Sequence, residues 1–121
     1  MVFSVLEYQY RDAGGYKISG ELLIEGVVSE NTLKSLRAYL YDAKFFIPKE
    51  IGIPPLQPKL WEQFGGPNDD DHEWHTFEGV RNAEAGDMNH PVWGTEKELV
   101  YRFQQNRKRL KNTPVDMFFP H

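Results

Sequence analysis

The sequence contains no cysteine among its 121 residues. That absence excludes disulfide bonds, thiolate zinc sites and cysteine nucleophiles together, and it is compatible with a reducing compartment. No apolar run approaches the roughly 18 residues that a membrane span requires. The first twelve residues lack the basic segment and the apolar stretch of a secretory signal peptide. We therefore expect a cytoplasmic protein that has no membrane partner.

Several catalytic and phosphate-binding motifs are missing as well. The sequence has no G-x-G-x-x-G, no P-loop and no serine in a nucleophile elbow. Residues 1–100 carry nine Lys/Arg against seventeen Asp/Glu, whereas residues 101–121 carry five against one. The acidic body repels nucleic acid, and no aromatic stacking platform is interleaved with the basic end. These properties disfavour nucleic acid as a partner.

Length and composition predict a single domain over residues 1–121, because a chain of this size buries roughly two-thirds of its unfolded surface. Residues 2–26 predict a β-hairpin with a turn at residues 12–15. Its first arm is apolar on both faces, which is typical of a central strand. Its second arm alternates apolar and polar residues, and Gly20 interrupts the apolar set at a bulge or at a close approach of another backbone.

Two helices are predicted. Ser29 is the expected N-cap of the first helix, which should end near Phe45, before Ile47-Pro48. Its apolar face comprises Leu33, Leu36, Leu40 and Ala43. Thr95 begins a T-x-x-E capping box that opens the second helix. The apolar stripe of that helix comprises Leu99, Phe103 and Leu110.

The chain between the helices has a proline-rich part and a strand-like part. Residues 48–71 hold five of the eight prolines and predict an irregular surface connection pinned by Trp61 and Phe64. Residues 72–80 predict a strand, and residues 82–94 a second loop. The whole pattern indicates an α+β fold, in which an N-terminal antiparallel hairpin, a helix, a long loop, a further strand and a C-terminal helix place the helices on one face of a small sheet.

The stretch DDDHEWHTF, residues 69–77, most resembles a chemical site. Carboxylates and imidazoles ligate divalent metals such as zinc. The candidate metal ligands are Asp70, Asp71, His72, His75 and His90. On a strand, His72 and His75 point to opposite faces and cannot chelate one ion directly, so a metal site requires the loops to converge. The alternatives are an acidic loop followed by one exposed and one packed histidine, or an acid–base pair of Asp71 or Glu73 with His75.

A second group of candidates concerns binding. In the turn RDAGGYK, Arg11 and Lys17 could hold an anion with help from the glycine amides. The alternative is that Asp12 pairs with Arg11 across the turn while the glycines shape it. Three tryptophans, six tyrosines and eight phenylalanines are many for this length, so some of them could form a recognition surface. The candidate binding residues are Arg11, Asp12, Lys17, Trp61 and Trp74.

Three segments together carry a resemblance: YRDAGGYK at 10–17, YLYDAKFFIPKEIGIPPL at 39–56 and DHEWHTFE at 71–78. They are similar to the Y-R-D-A-x-x-Y-K and D-H-x-W-H-x-F motifs of a group of small uncharacterised bacterial proteins. The resemblance covers about the first 80 residues. It implies a bacterial, intracellular protein of the accessory or mobile gene pool, and it transfers no activity.

The leading interpretation is a small intracellular binding or regulatory module without catalysis. It would act on a protein partner, for example as an inhibitor or immunity-type accessory factor, and it would need no cofactor. The first alternative is a metal-dependent hydrolase or nuclease centred on DDDHEWH. The second alternative is a nucleotide or small-anion binder that uses Arg11 and Lys17. The sequence sets neither the identity of the partner nor the oligomeric state.

Overall fold

The computed structural model of the protein describes residues 2–67 and 71–110. A curled five-stranded sheet carries three helices, so the predicted α+β class is confirmed. The strands are β1 (Phe3–Arg11), β2 (Lys17–Glu25), β3 (Phe45–Phe46), β4 (His75–Asn82) and β5 (Val92–Thr95). The helices are α1 (Glu30–Tyr39), α2 (Gln57–Phe64) and α3 (Glu96–Leu110), with 3-10 turns at Pro48–Ile51 and Ala85–Asn89. In the described residues no helix is both long and apolar enough to span a membrane.

Strand β1 lies at the centre of the sheet, as its apolar residues on both faces predict. The strand order is β3-β4-β1-β2-β5, and every neighbouring pair is antiparallel except β2 and β5. One face of the sheet packs on the helices and is called here the covered face. All three helices contribute buried residues to the core on this face. The core comprises Leu6, Tyr8, Tyr10, Ile24, Leu36, Leu40, Phe46, Ile51, Ile53, Leu56, Leu60, Phe77, Leu99 and Phe103.

The hairpin between β1 and β2 forms as predicted, but two of its details differ. Asp12 Oδ1 accepts the Tyr16 backbone N–H at 2.9 Å, and the described residues show no ion pair of Asp12 with Arg11, so that predicted pairing is wrong. The β1–β2 register runs through Gly20 without a bulge. A Cβ at Gly20 would lie 2.6 Å from Leu56 Cδ2. Gly20 therefore makes room for a core side chain, not for another backbone.

Helix α1 begins as predicted and ends earlier than predicted. The Ser29 side chain accepts the Thr32 N–H at 3.2 Å and caps the helix. The helix ends at Tyr39, six residues before Phe45, because Asp42 and Ala43 adopt left-handed backbone angles in a tight turn. The chain then returns as β3, in which Phe46 pairs with the first residue of β4. Ala43 is thus an exposed turn residue, and its predicted place on the helix face is wrong.

The proline-rich segment contributes more to the core than an irregular surface connection would. Ile51, Ile53, Leu56 and Leu60 are all buried within it. Two prolines of this segment lie at the start of helical turns, one in Pro48–Ile51 and one in the first turn of α2. Proline is accepted at these positions because a backbone N–H there would have no helical partner. Of the two residues expected to pin the segment, Trp61 packs against the core, whereas Phe64 is 53% exposed and contacts only the exposed ring of Tyr16 among the described aromatic residues.

The second predicted loop contains a strand that the sequence pattern does not reveal. Strand β5 pairs in parallel with β2 over residues 92–95. Thr95 Oγ1 then accepts the Glu98 N–H at 3.1 Å, which confirms the predicted start of α3. Leu99 and Phe103 are buried on this helix as predicted, while the side chain of Leu110 lies outside the described residues.

Strand β4 begins at His75, three residues later than predicted, and contains a bulge. Phe77 pairs with Tyr8, whereas Gly79 pairs with the preceding residue of β1, so Glu78 is the extra residue. Because of this insertion, Phe77 and Val80 both face the core although they are three residues apart.

Candidate functional site

A groove of about 480 Å³ lies on the other face of the sheet, which is called here the open face. Its floor is a row of side chains across three strands, since Gln9 pairs with Thr76 and Thr76 pairs with Phe45. A volume of this size is in the range of small-molecule sites. The groove is lined by Gln9, Arg11, Asp12, Lys44, Phe45, His72, Trp74, Thr76 and Glu78.

The groove contains two cations with no carboxylate partner in the described part of the chain. Arg11 and Lys44 are exposed, and neither has a carboxylate oxygen within 4.0 Å among the described residues. Lys44 Nζ lies 5.4 Å from the ring centre of Phe45. The acidic groups of the groove are Glu78, which is exposed, and Asp12, which is 3% exposed. The site therefore presents both charges, and the two cations are accessible to a ligand.

His72 forms part of the groove wall, and both of its ring nitrogens are engaged. Its Nδ1 accepts the Trp74 backbone N–H at 3.0 Å, and its Nε2 lies 2.7 Å from the Arg11 carbonyl oxygen. Because Nδ1 is an acceptor, Nε2 carries the proton and donates it to that carbonyl. The imidazole thus ties the end of β1 to the segment that leads into β4.

Asp71 holds the same segment to the core. Its two carboxylate oxygens accept the Tyr10 hydroxyl at 2.7 Å and the Trp61 indole N–H at 2.8 Å. Burial, together with the hydrogen bond to Asp71, raises the pKa of Tyr10 well above its usual range. The Tyr10 oxygen also accepts the His72 backbone N–H at 3.2 Å. The carboxylate is therefore engaged by two donors from β1 and α2.

His75 lies on the covered face, inside the core. Its Nε2 accepts the Leu56 backbone N–H at 3.0 Å, and its Nδ1 donates to the Glu73 carbonyl at 3.0 Å. Burial among aromatic rings lowers the pKa of His75 to about 4. The Glu73 carboxylate instead meets Lys49 at the surface, at 2.5 Å. Neither Asp71 nor Glu73 places its carboxylate on His75, so the acid–base pair considered from the sequence is not formed.

The candidate metal ligands are not brought together in the described residues. His72 and His75 face opposite sides of the sheet, as predicted for a strand, and each uses both ring nitrogens. Across residues 2–67 and 71–110 no three Asp, Glu or His side chains form a cluster that could hold a metal ion. His90 is exposed after the second 3-10 turn, and Asp70 lies outside the described residues.

Three of the five candidate binding residues line the groove: Arg11, Asp12 and Trp74. Lys17 pairs in register with Arg11 but does not line the groove, and Trp61 lies on α2, bonded to Asp71. The sequence reading missed five lining residues: Gln9, Lys44, Phe45, Thr76 and Glu78. The alternation of polar residues along β1 and β4 is a signal for Gln9 and Thr76. Lys44 and Phe45 were hidden by their assignment to a helix.

The other half of the open face is closed by an ion cluster around Arg81. Its guanidinium contacts Asp87 at 2.7 Å, Glu21 at 2.7 Å and Glu7 at 3.5 Å. This pairing with Arg81 lowers the pKa of Asp87 well below its usual range. Asp87 belongs to the connection from β4 to β5, so the cluster fastens that connection to the open face. The groove is what remains uncovered at the hairpin end.

Comparison of the chain with protein-family models, with curated proteins and with solved structures gave no match. The resemblance carried by the three sequence segments accordingly stays a prediction.

Proposed function

We propose that the protein is a non-catalytic protein-binding module whose contact surface is the groove on the open face of the sheet. The observation that carries this proposal is the groove itself: a site of about 480 Å³ with aromatic walls and two cations that lack a carboxylate partner in the described residues. Aromatic and arginine side chains are the groups that most often dominate binding energy at protein interfaces.

A binding role also accounts for how the DHEWH segment is used. A general acid or base must exchange protons with a ligand at a pKa near the working pH. His75 is enclosed in the core with a pKa of about 4, and both ring nitrogens of His72 are bonded to backbone groups. These residues hold the groove in shape, which favours recognition over proton transfer.

A pair of exposed aromatic rings at the same end of the sheet supports a macromolecular partner. Tyr16 in the hairpin and Phe64 at the end of α2 are 55% and 53% exposed, and their ring centres are 5.0 Å apart. Clustered exposed apolar surface marks interaction sites more often than isolated residues do. Tyr16 is also joined to the groove, because its backbone N–H is bound by Asp12. A partner seated in the groove can thus extend around the hairpin tip.

The resemblance described above favours a bacterial cytoplasm for this module, and an inhibitor or immunity-type factor is the form of protein binding that we propose. The metal-dependent alternative differs from it in one measurable property, which is stoichiometric metal in the purified protein without a histidine tag. Native mass spectrometry beside the denatured mass gives this answer. A single bound divalent ion, lost in His72→Ala, would contradict the proposal.

The proposal is tested by capturing partners with three immobilised forms of the protein. Thr76→Trp fills the floor of the groove without adding a charge, and Ser35→Trp puts the same side chain on the exposed surface of α1 as a matched control. Circular dichroism and thermal unfolding confirm that each variant is folded. We expect a partner that binds the wild type and Ser35→Trp and is lost from Thr76→Trp. Its purified form should bind Thr76→Trp at least tenfold more weakly, and equal binding to all three forms would refute the proposal.

A further inference from the structure

We infer that the groove binds a carboxylate side chain on an extended acidic segment of the partner, between Arg11 and Lys44 and above Thr76 and Gln9. This inference rests on the proposed function and specifies its ligand. It differs from the anion site predicted in the hairpin turn, because Lys44 replaces Lys17 as the second cation and the floor lies on the sheet.

The two cations approach the floor from opposite corners of the groove. Arg11 stands two residues beyond Gln9 on β1, while Lys44 directly precedes Phe45 on the far strand. Two strand spacings and about three residues of rise put their Cα atoms roughly 14 Å apart. Arginine and lysine side chains are long enough to meet an anion placed between these positions. Both are exposed and lack a carboxylate partner in the described residues, so they are free to do so.

The floor offers neutral donors at the point where the cations converge. Thr76 occupies the central strand of the row, and the Gln9 amide nitrogen makes only a long contact of 3.4 Å with the Ser19 hydroxyl. A carboxylate accepts up to about four hydrogen bonds, and arginine can supply two of them in parallel. Phe45, at the far end of the floor, and Trp74 provide apolar surface beside this point. The site therefore fits an acidic residue that is flanked by an apolar one.

The groove carries two cations and two carboxylates, Glu78 and Asp12, so it holds no excess positive charge for a doubly charged ligand. Attraction to Arg11 and Lys44 and repulsion from the two carboxylates both grow in proportion to the charge of the ligand. The cost of desolvating the ligand grows with the square of that charge, so a carboxylate is favoured over a phosphate dianion. The seventeen acidic residues among the first hundred repel a polyanion such as nucleic acid further. An acidic peptide segment meets these limits.

The experiment uses the full chain and a displayed library of random dodecapeptides. Peptides are selected on the wild type, and those that also bind Thr76→Trp are removed. Synthetic fluorescein-labelled peptides then give dissociation constants by fluorescence polarisation. We expect selected sequences to share an Asp or Glu beside an apolar residue, and its replacement by Asn or Gln to weaken binding at least tenfold.

Variants of the groove charges supply the decisive comparison. Arg11→Gln and Lys44→Gln should each weaken binding at least fivefold, whereas Lys34→Gln, an equal loss of charge on exposed α1, should change it less than twofold. Glu78→Gln should strengthen binding two- to threefold because a repulsive charge is removed. Acetate should compete with the peptide at least as well as inorganic phosphate at equal ionic strength.

The outcomes separate this inference from the proposed function. Groove-dependent peptides that lack an acidic residue, or that bind Arg11→Gln and Lys44→Gln within twofold of wild type, would overturn the carboxylate site and leave the groove as a binding surface. A phosphoserine peptide that binds more tightly than its aspartate counterpart would overturn it as well. If no selected peptide is lost in Thr76→Trp, both proposals fail.

Discussion

The two faces of the sheet place histidine in different environments. On the covered face, His75 is enclosed by Tyr10 and Phe46 and bonded to two backbone groups. On the open face, three residues earlier, His72 lines a groove that also contains cations without carboxylate partners in the described residues. The difference teaches that an HxxH spacing on an extended chain separates its histidines. One of them becomes part of the core and the other part of a surface.

The largest expected effect tests the covered face. Phe103 is buried, and its ring lies 5.6 Å from that of Phe46 and 6.3 Å from that of Phe77. Phe103→Ala leaves a cavity between α3 and the sheet, so we expect the free energy of unfolding to fall by about 3–5 kcal/mol. Urea denaturation measures this change. A loss below about 1 kcal/mol would mean that the helix does not depend on this contact.

The second prediction uses pH to distinguish the enclosed histidine. The unfolded chain protonates His75 near the ordinary pKa of 6.5, whereas the folded chain does so near 4. The unfolded state thus binds more protons in this window, and stability falls as the pH falls. Between pH 7.5 and 5 we expect this histidine to cost about 2 kcal/mol of stability.

His75→Gln should remove that part of the pH dependence, as measured by urea midpoints at the two pH values. Val80→Ala is the control, because it destabilises the same strand without removing a titrating group. If His75→Gln and wild type lose equal stability between pH 7.5 and 5, the enclosure of this histidine is wrong.

The third prediction concerns the tie between the two faces. Tyr10 projects from the covered face, donates to Asp71 and accepts the His72 backbone N–H. Tyr10→Phe removes both bonds with little change of shape, so we expect a loss of about 1 kcal/mol and faster hydrogen exchange of the His72 amide. Tyr101→Phe, on the exposed side of α3, should change neither quantity. If hydrogen exchange of the His72 amide is the same in Tyr10→Phe and wild type, the groove wall does not depend on this contact with the core.

The smallest effect on stability is expected on the open face. Thr76→Ala removes one hydroxyl from the groove floor and should change the free energy of unfolding by no more than about 0.5 kcal/mol. It should nevertheless weaken the selected peptides, since the hydroxyl belongs to the proposed carboxylate site. A stability loss comparable with that of Phe103→Ala would contradict the division between the two faces.

Local sequence signals predicted the parts of the fold that depend on neighbouring residues. The hairpin turn, the Ser29 and Thr95 caps and the central position of β1 follow from turn chemistry, capping and alternation. The opposite orientations of His72 and His75 follow from the period of two along a strand. For the site, these signals gave Arg11, Asp12 and Trp74, but not the row of side chains that joins them.

The remaining features depend on contacts between distant segments. Strand β3 has two residues and is held by pairing with β4, so no hydrophobic periodicity in the sequence predicts it. Strand β5 is likewise defined by its place beside β2. The bulge at Glu78 can be recognised only when the pairing register of β4 with β1 is known. Because Lys44 and Phe45 reach the groove through β3, the missed strand also concealed part of the site.

The pairing of Ser4 with Asn82 has a consequence for how the chain is made. A ribosome completes β1 and β2 early, yet the second neighbour of β1 is finished on the order of several seconds later. During that interval the hairpin presents an unpaired strand edge, which is the kind of surface on which nascent chains associate. Glu7 and Arg11 place opposite charges along β1 while its second edge is unpaired. The polar residues of the open face can thus protect the hairpin while the rest of the chain is being synthesised.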